Sequence, residues 1–321
     1  MAISDLAVFS EYAYDAFTEV LAQQIDLFNQ ASRNTIVLST QAHQGDYSDR
    51  AFWGKVSGLV RRRNVYGSGA VSTVNLAHLI DTSVKVAAGT PPVEMVPSQF
   101  RWIQRNPEEG GAALGQQLAQ DMLADMLNTG ITSTVAALGQ IGALVHDGTG
   151  ASPDTLTSKQ LNFAAGKFGD RMNDIVAWIA HSTPMTNFYD NALTNSERLF
   201  VYGTVNVVAD PFGRVFIVTD APGLITTGTP NVYHTLGLVP GAIMVDQNDD
   251  FDDNVETSNG DENIGRTYQA EWSYNLGLKG FAWDKTNGGK SPNDAALATA
   301  TNWDRYATSD KDMLGVLCNT N

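Results

Sequence analysis

Three consecutive arginines, Arg61-Arg62-Arg63, stand in a chain that is otherwise short of positive charge. A guanidinium makes forked, charge-assisted hydrogen bonds to carboxylates and phosphates, so the triplet points to an anionic partner. Nucleic acid is the first such partner to consider. However, the 321-residue chain carries 35 acidic against 20 basic residues, a net charge of -15. An isolated triplet on such a chain lacks the extended basic face that nucleic-acid binding requires. The opposite charge gathers in Asp246-Gln247-Asn248-Asp249-Asp250-Phe251-Asp252-Asp253. Asp246, Asn248 and Asp250 alternate as calcium ligands do, but Phe251 stands where the loop needs glycine and Thr257 where it needs glutamate. A solvated surface loop is the simpler reading.

The other reactive residue types are scattered. His43, His78, His146, His181 and His234 form neither an HExxH motif nor a helical i, i+4 pair. No GxSxG elbow and no glycine-rich phosphate loop occurs. His181-Ser182-Thr183-Pro184 could pass for an active-site loop; more simply, Ser182 or Thr183 caps a helix whose first turn holds Pro184. Cys318 is the only cysteine, which excludes an internal disulfide and a multi-cysteine zinc site. The residues thus nominate no catalytic group, no cofactor and no metal ligand.

The elements that carry these residues can be read from periodicity. Leu6, Phe9, Ala13, Phe17, Val20, Leu21, Ile25 and Phe28 predict an amphipathic helix from Ser4 to about Asn29. From His43 to about Leu79 the periodicity weakens, glycines accumulate, and stretches such as Trp53 to Val60 read as strands of an extended hairpin too poor in apolar residues to fold alone. Val84 to Val96 is β-like, broken by Pro91-Pro92. Asn106-Pro107-Glu108-Glu109 then starts a long helix with Leu114, Leu118, Met122, Leu123, Met126 and Leu127 along one face, continuing toward Leu144 despite Gly130. The second half reads as α/β: a helix over Leu156 to Met172, a buried strand over Ile175 to Ala180 and a short helix over Pro184 to Leu193. A hairpin follows over Phe200 to Thr219, turned at Asp210-Pro211-Phe212-Gly213, then turns from Pro222 to Pro240, a strand run from Arg266 to Trp283 and a polar tail after Lys285. No apolar run approaches the ~20 residues of a membrane helix, and the N-terminus lacks a basic region ahead of an apolar stretch. A protein without membrane association and without a signal peptide is expected.

An arm, a glycine-rich hairpin, a long helix beside a sheet and an α/β unit describe a chain built to reach onto neighbours. In this order the sequence resembles the major capsid proteins of tailed double-stranded DNA bacteriophages. Glu108 to Leu127 is similar to their spine helix, and Ile175 to Ser182, the short helix to Leu193 and Gly203 to Asp220 are similar to the strand-helix-strand run of their axial domain. Ser291-Pro292-Asn293-Asp294-Ala295-Ala296-Leu297-Ala298, Asn302-Trp303-Asp304, Lys311 and Gly315-Val316-Leu317 resemble the closing segment of one group of these proteins.

The resemblance implies an α+β chain of the Hong Kong 97 type, with an N-arm (1–42), an E-loop (43–80), a P domain with a long spine helix (81–150 and 263–321) and an A domain (151–262). It implies a structural, non-enzymatic subunit that forms pentamers and hexamers and closes an icosahedral shell around DNA bound without sequence specificity. A separate scaffolding protein, a portal protein at one vertex and a decoration protein are the partners implied, with assembly in the host bacterial cytoplasm and residence in the virion. Lys55, Arg61, Arg62, Arg63 and Tyr66 fall on the E-loop and are expected at a subunit interface. Lys55 is the hairpin's sole lysine, the sole candidate for the isopeptide cross-link some relatives make, and no Asn or Glu partner can be assigned to it. Asp249, Asp250, Asp252 and Asp253 are expected at a symmetry axis. An encapsulin-like compartment shell shares the fold and is the alternative; a soluble enzyme with an unrecognised site is another.

Overall fold

In a computed structural model, residues 3–41, 43, 45–53, 60–76, 78–95, 106–194, 213–259 and 262–321 are described. The helical spacing at the front of the chain produces α1, Ile3–Ala31. Phe9, Ala13, Phe17, Leu21 and Ile25 bury one face of it. That face lies against α2, Pro107–Gly139. Pro107 occupies the first helical position and Glu108 and Glu109 the first turn, as their chemistry favours. Asn106 Nδ2 donates to Glu109 Oε2 at 3.0 Å rather than capping the backbone. The two helices touch backbone to backbone. A Cβ on Gly111 would stand 2.5 Å from the Phe9 carbonyl oxygen, and one on Gly115 would run into that of Ala13. The predicted continuation to Leu144 stops at Gly139, and Gly142–Leu144 is a 3₁₀ turn.

The strands are β1 (Ile36–Thr40), β2 (Tyr47–Trp53), β3 (His78–Gly89), β4 (Val93–Glu94), β5 (Val145–Asp147), β6 (Ala177–Ala180), β7 (Val215–Val218) and β8 (Ile225–Thr226). They continue with β9 (Val232–Leu238), β10 (Ile243–Gln247), β11 (Asp252–Ser258), β12 (Gly265–Leu278), β13 (Phe281–Trp283), β14 (Trp303–Arg305) and β15 (Gly315–Thr320). The remaining helices are α3 (Ser158–Gly166), α4 (Ser182–Thr194) and the single turn α5 (Asp294–Leu297).

β12 is the hub of the first sheet. One edge pairs with β11 and then β10, with Tyr274 opposite Gln247; the other pairs with β4 and β3, with Glu271 opposite Gly89. β1 adds in parallel to β10, and among the described residues β2 pairs only with β3, so the β2–β3 ribbon leaves the sheet at its edge. Alternate residues of β12 are buried up to Glu271 and every residue from Trp272 onward, where both faces are covered. The second sheet runs β5-β15-β9-β6-β7 with β8 on β9. Its centre is tightly packed: a Cβ on Gly237 would stand 2.5 Å from the ring of Trp178, which is fully buried.

Several expectations need correction. Leu156 to Met172 is not one helix but α3 followed by a 3₁₀ segment, Gly169–Asp174. The turn-rich stretch Pro222 to Pro240 contains β9, and the polar tail contains β15, the two central strands of the second sheet. β9 lies between Pro230 and Pro240 and β15 opens on Gly315, so both read as breaks. The hairpin over Phe200 to Thr219 falls largely outside the described residues; its described part, β7, lies parallel to β6, with Ala177 opposite Val215. α4 is capped from outside itself: Ser182 N donates to Asp220 Oδ1 and Thr183 N to His181 Nδ1, both at 3.2 Å, and Pro184 is the third helical residue. The bonds from Ser182 hold the Asp220 carboxyl below its usual range. The sheets join distant parts of the chain: β10 and β11 pair with β12, and β15 pairs with β9.

Candidate assembly interface

The β2–β3 ribbon is held by its foot. Asp49 accepts from Thr82 Oγ1 at 2.8 Å and from Lys285 Nζ at 2.6 Å, and the Lys285 ammonium also lies 5.2 Å from the centre of the Tyr47 ring. Lys290 pairs with Asp46 at 2.8 Å, Lys85 with Asp250 at 3.1 Å and Arg50 with Asp246 at 3.6 Å. The Lys285 hydrogen bond holds the Asp49 carboxyl below the usual carboxylate range, against burial. Beneath them Asp81, opposite Arg50 in the ladder, is buried, and its Oδ1 has no hydrogen-bond partner. Burial pushes its carboxyl up to about 6, against the attraction of Arg50.

Beyond the foot the side chains face solvent. The Trp53 ring lies tilted against His78 at the last ladder pair, ring centres 4.7 Å apart, and is itself 65% exposed. Residues 54–59, including Lys55, lie outside the described residues, so the strand expected there is untested. Val60 to Leu76 contains no strand, and every residue of it is exposed. A turn at Asn64–Gly67 follows the arginines: Gly67 N donates to the Asn64 carbonyl at 3.3 Å and Tyr66 N to its side chain at 3.0 Å. Arg61, Arg62 and Arg63 point into solvent beside Val60 and Tyr66, which are 93% and 97% exposed. Val65, Val71, Val74 and Leu76 are more than half exposed as well. A monomer rarely leaves so many large apolar side chains of one segment uncovered.

The acidic stretch is not a solvated loop. Asp246 closes β10 and Asp252 and Asp253 open β11, leaving a four-residue connection in which Asn248 is 1% exposed. Asn248 donates to Ser273 Oγ and accepts from Asn275 Nδ2, both at 2.8 Å. Phe251 stacks on Phe17 of α1, ring centres 4.7 Å apart. Asp250 accepts from Ser273 N at 2.9 Å and Asp253 from Ser10 Oγ at 2.7 Å; Asp246 accepts from Ser39 Oγ. Burial would raise the Asp250 carboxyl, but the bonds from Ser273 and Lys85 outweigh it and hold it below its usual range. Asp249 and Asp252 face solvent. The segment therefore latches α1 and β3 to the first sheet. Among the described residues, no group of three His, Cys, Asp or Glu side chains is placed to hold a metal ion, and no helix is long and apolar enough to cross a membrane. The clamp residues Lys285 and Lys290 were invisible to sequence reading, because more than 230 residues separate Lys285 from Asp49.

A long helix clasped by an N-terminal helix, a strand hub with a projecting ribbon and a second sheet together define the capsid fold of tailed phages. The comparisons with solved structures agree. The head structure of Helicobacter pylori bacteriophage KHP40 superposes with a TM-score of 0.53 at 8% identity, covering 91% of this chain and 88% of that one. The capsid of Ralstonia phage GP4 gives 0.50 at 10% identity over 91% and 88%. The cyanophage Pam1 capsid asymmetric unit gives 0.50 at 10% identity over 88% of each chain. No curated protein sequence is significantly similar. The model of the Gp13-like family, Major capsid protein 13-like, matches residues 5–317. The chain belongs to this family and is a major capsid protein, a structural component of a phage capsid. The encapsulin and enzyme alternatives are not favoured.

Proposed function

We propose that copies of this chain assemble as pentamers and hexamers into an icosahedral shell around the double-stranded DNA of a tailed phage, and that the subunit has no catalytic role. The observation that carries this reading is the uncovered segment from Val60 to Leu76, arginine-rich at its start and studded with Val60, Val65, Tyr66, Val71, Val74 and Leu76. Exposed apolar surface of this kind marks a site that another molecule covers. On this reading 43–80 is the E-loop, α1 the N-arm, α2 the spine helix within the P domain, and the second sheet the core of the A domain. Lys55, Arg61, Arg62, Arg63 and Tyr66 then belong to the subunit interface. The acidic residues Asp250 and Asp253 act within the subunit as a latch rather than at a symmetry axis. A net charge of -15 keeps the packaged DNA from adhering broadly to the wall. Assembly takes place in the host cytoplasm with a separate scaffolding protein, a portal at one vertex and a decoration protein outside.

Electron microscopy of particles purified from cells expressing the head genes tests the reading. Closed icosahedral shells containing DNA are expected. A monodisperse monomer would overturn it, and shells filled with a single protein cargo would move it to the encapsulin alternative.

A further inference from the structure

Two cavities meet on the flank of α2. One, of about 560 Å³, is walled by Val86, Ala88, Pro91, Leu118 and Trp272 on its apolar side and by Asp121, Asp125 and Asp294 on the other. The second, of about 490 Å³, lies between α2, Pro222–Gly223 and α5, and shares Asp125 and Asp294 with the first. The result is one trough, apolar along its length, with carboxylates at its middle.

These carboxylates differ from the molecule's other clustered acids. At the ribbon foot Asp46, Asp49, Asp246 and Asp250 each have a lysine or arginine partner. A third cavity, of about 490 Å³, contains Arg171, Lys279 and Lys311 and neutralises itself: Arg171 reaches Asp174 at 2.6 Å and Asp312 at 2.8 Å, and Lys311 reaches Asp170 at 2.5 Å. Among the described residues, Asp121, Asp125 and Asp294 have no cationic partner; Asp125 has only the hydroxyl of Tyr274, which donates to it at 2.9 Å. Burial first, and then the like charge of Asp294, raise the Asp125 carboxyl above its ordinary value, against that bond. A cation placed between the two would relieve both effects.

The chain itself holds the complement. Arg61, Arg62 and Arg63 are exposed and, among the described residues, reach no carboxylate of their own subunit, and Val60 and Val65 flank them with apolar surface. We propose that the trough between β3, α2 and the Pro292–Asp294 turn receives the Arg61–Arg63 segment of a second copy, with guanidinium forks on Asp121, Asp125 and Asp294 and the flanking valines on the apolar wall. Each copy supplies one segment and one trough, so the contact is heterologous and closes only in a ring. A nucleic acid is excluded from the trough by its charge. The proposal rests on the reading of this segment as an intersubunit contact and names the face it grips.

Charge reversal tests it in the full chain expressed with the complete head genes. Asp121→Lys with Asp294→Lys leaves the Tyr274 bond intact, since both side chains are exposed. It should cut the yield of sedimenting shells about tenfold or more, as losing even one charge-assisted hydrogen bond per contact does to an affinity. Arg61→Glu, Arg62→Glu and Arg63→Glu together should do the same, and all five changes in one chain should restore shells. Thermal melts of the unassembled variants separate misfolding from lost assembly. As a second measurement, Arg62→Cys with Asp294→Cys, treated with a short bis-maleimide in assembled particles, should give a ladder of linked subunits on a denaturing gel; Cys318 is fully buried and its thiol is pushed up to about 12 by burial, so it stays silent. If the trough variant yields normal shells while the arginine variant does not, or the gel shows monomer alone, the trough is wrong and the interface reading stands. If both variants yield normal shells, both are wrong. Shells that form but lose their DNA when the arginines are reversed would assign the triplet to nucleic acid and overturn the proposal.

Discussion

Val60 to Leu76 and Val232 to Leu238 are built from similar residues, valine, leucine, tyrosine and glycine among them, yet their environments are opposite. Every residue of the first faces solvent, while Thr235 to Leu238 of β9 are buried between β15 and β6. Apolar composition therefore does not decide burial; pairing partners do. β9 has β15, β6 and β8 in its own chain. The excursion pairs with no strand among the described residues; on the proposed reading a neighbour covers it, and one sequence divides its apolar residues between folding and assembly.

Breaking the buried member should have the larger effect. Gly237→Val places side-chain atoms where the ring of Trp178 stands, and overpacking a rigid core costs about 3 kcal/mol at the upper end of its usual range. Denaturant titration should show that loss in the subunit itself, with soluble yield falling and no shells formed. A variant that melts like the parent would mean the sheet centre yields more readily than its packing indicates. Breaking the exposed member should do the reverse. Arg61→Ala, Arg62→Ala and Arg63→Ala together should move the subunit's stability by no more than about 0.5 kcal/mol, as solvent-facing substitutions do. Shell yield should nevertheless collapse in sedimentation. A destabilised subunit with normal shells would invert the comparison.

The ribbon foot lies between these extremes and adds a pH dependence. The Asp81 carboxyl is raised from 3.8 to about 6, chiefly by burial. Between those values the folded chain holds a proton that the unfolded chain has released, so stability should fall as pH rises through that window. Above about pH 6 the buried charge costs about 3 kcal/mol. Asp81→Asn should therefore stabilise the subunit by about that amount at pH 7 and hardly at all at pH 4. Equal effects at both pH values would show that Asp81 is charged at neither or at both.

How legible this was in the sequence depends on what carried each feature. α1 and α2 were readable because Phe9 to Ile25 and Leu118 to Met126 repeat at helical spacing, a local signal. β12 was readable as part of the strand-like run from Arg266 to Trp283. β9 and β15 were not: Gly237 and Gly315 look like breakers, and their purpose, room for Trp178 and for a crossing backbone, exists only once distant strands are paired. The acidic stretch looked solvated because Phe251 and Asn248 find α1 and β12 only in three dimensions. The exposure of Val60–Leu76 was legible for the opposite reason: weak periodicity and accumulated glycines mark His43 to Leu79 as too poor in apolar residues to fold alone, a local signal that needed no tertiary information. The clamp beneath it did.

That clamp supplies the smallest prediction. Lys285→Ala removes an ammonium 2.6 Å from Asp49 and 5.2 Å from the centre of the Tyr47 ring, in a pair whose side chains are 44% and 46% exposed. An ion pair so exposed contributes at most about 1 kcal/mol. Thr82 still donates to Asp49, so no carboxylate is stranded. The subunit's melting point should barely move, while amide exchange across Tyr47–Trp53 quickens, because the pair fixes the ribbon and not the core. In about 1 M salt, where the screening length falls to about 3 Å, wild type and variant should exchange alike. A large drop in melting point would instead tie the ribbon foot to the cooperative core and place it with β9, on the folding side of the division.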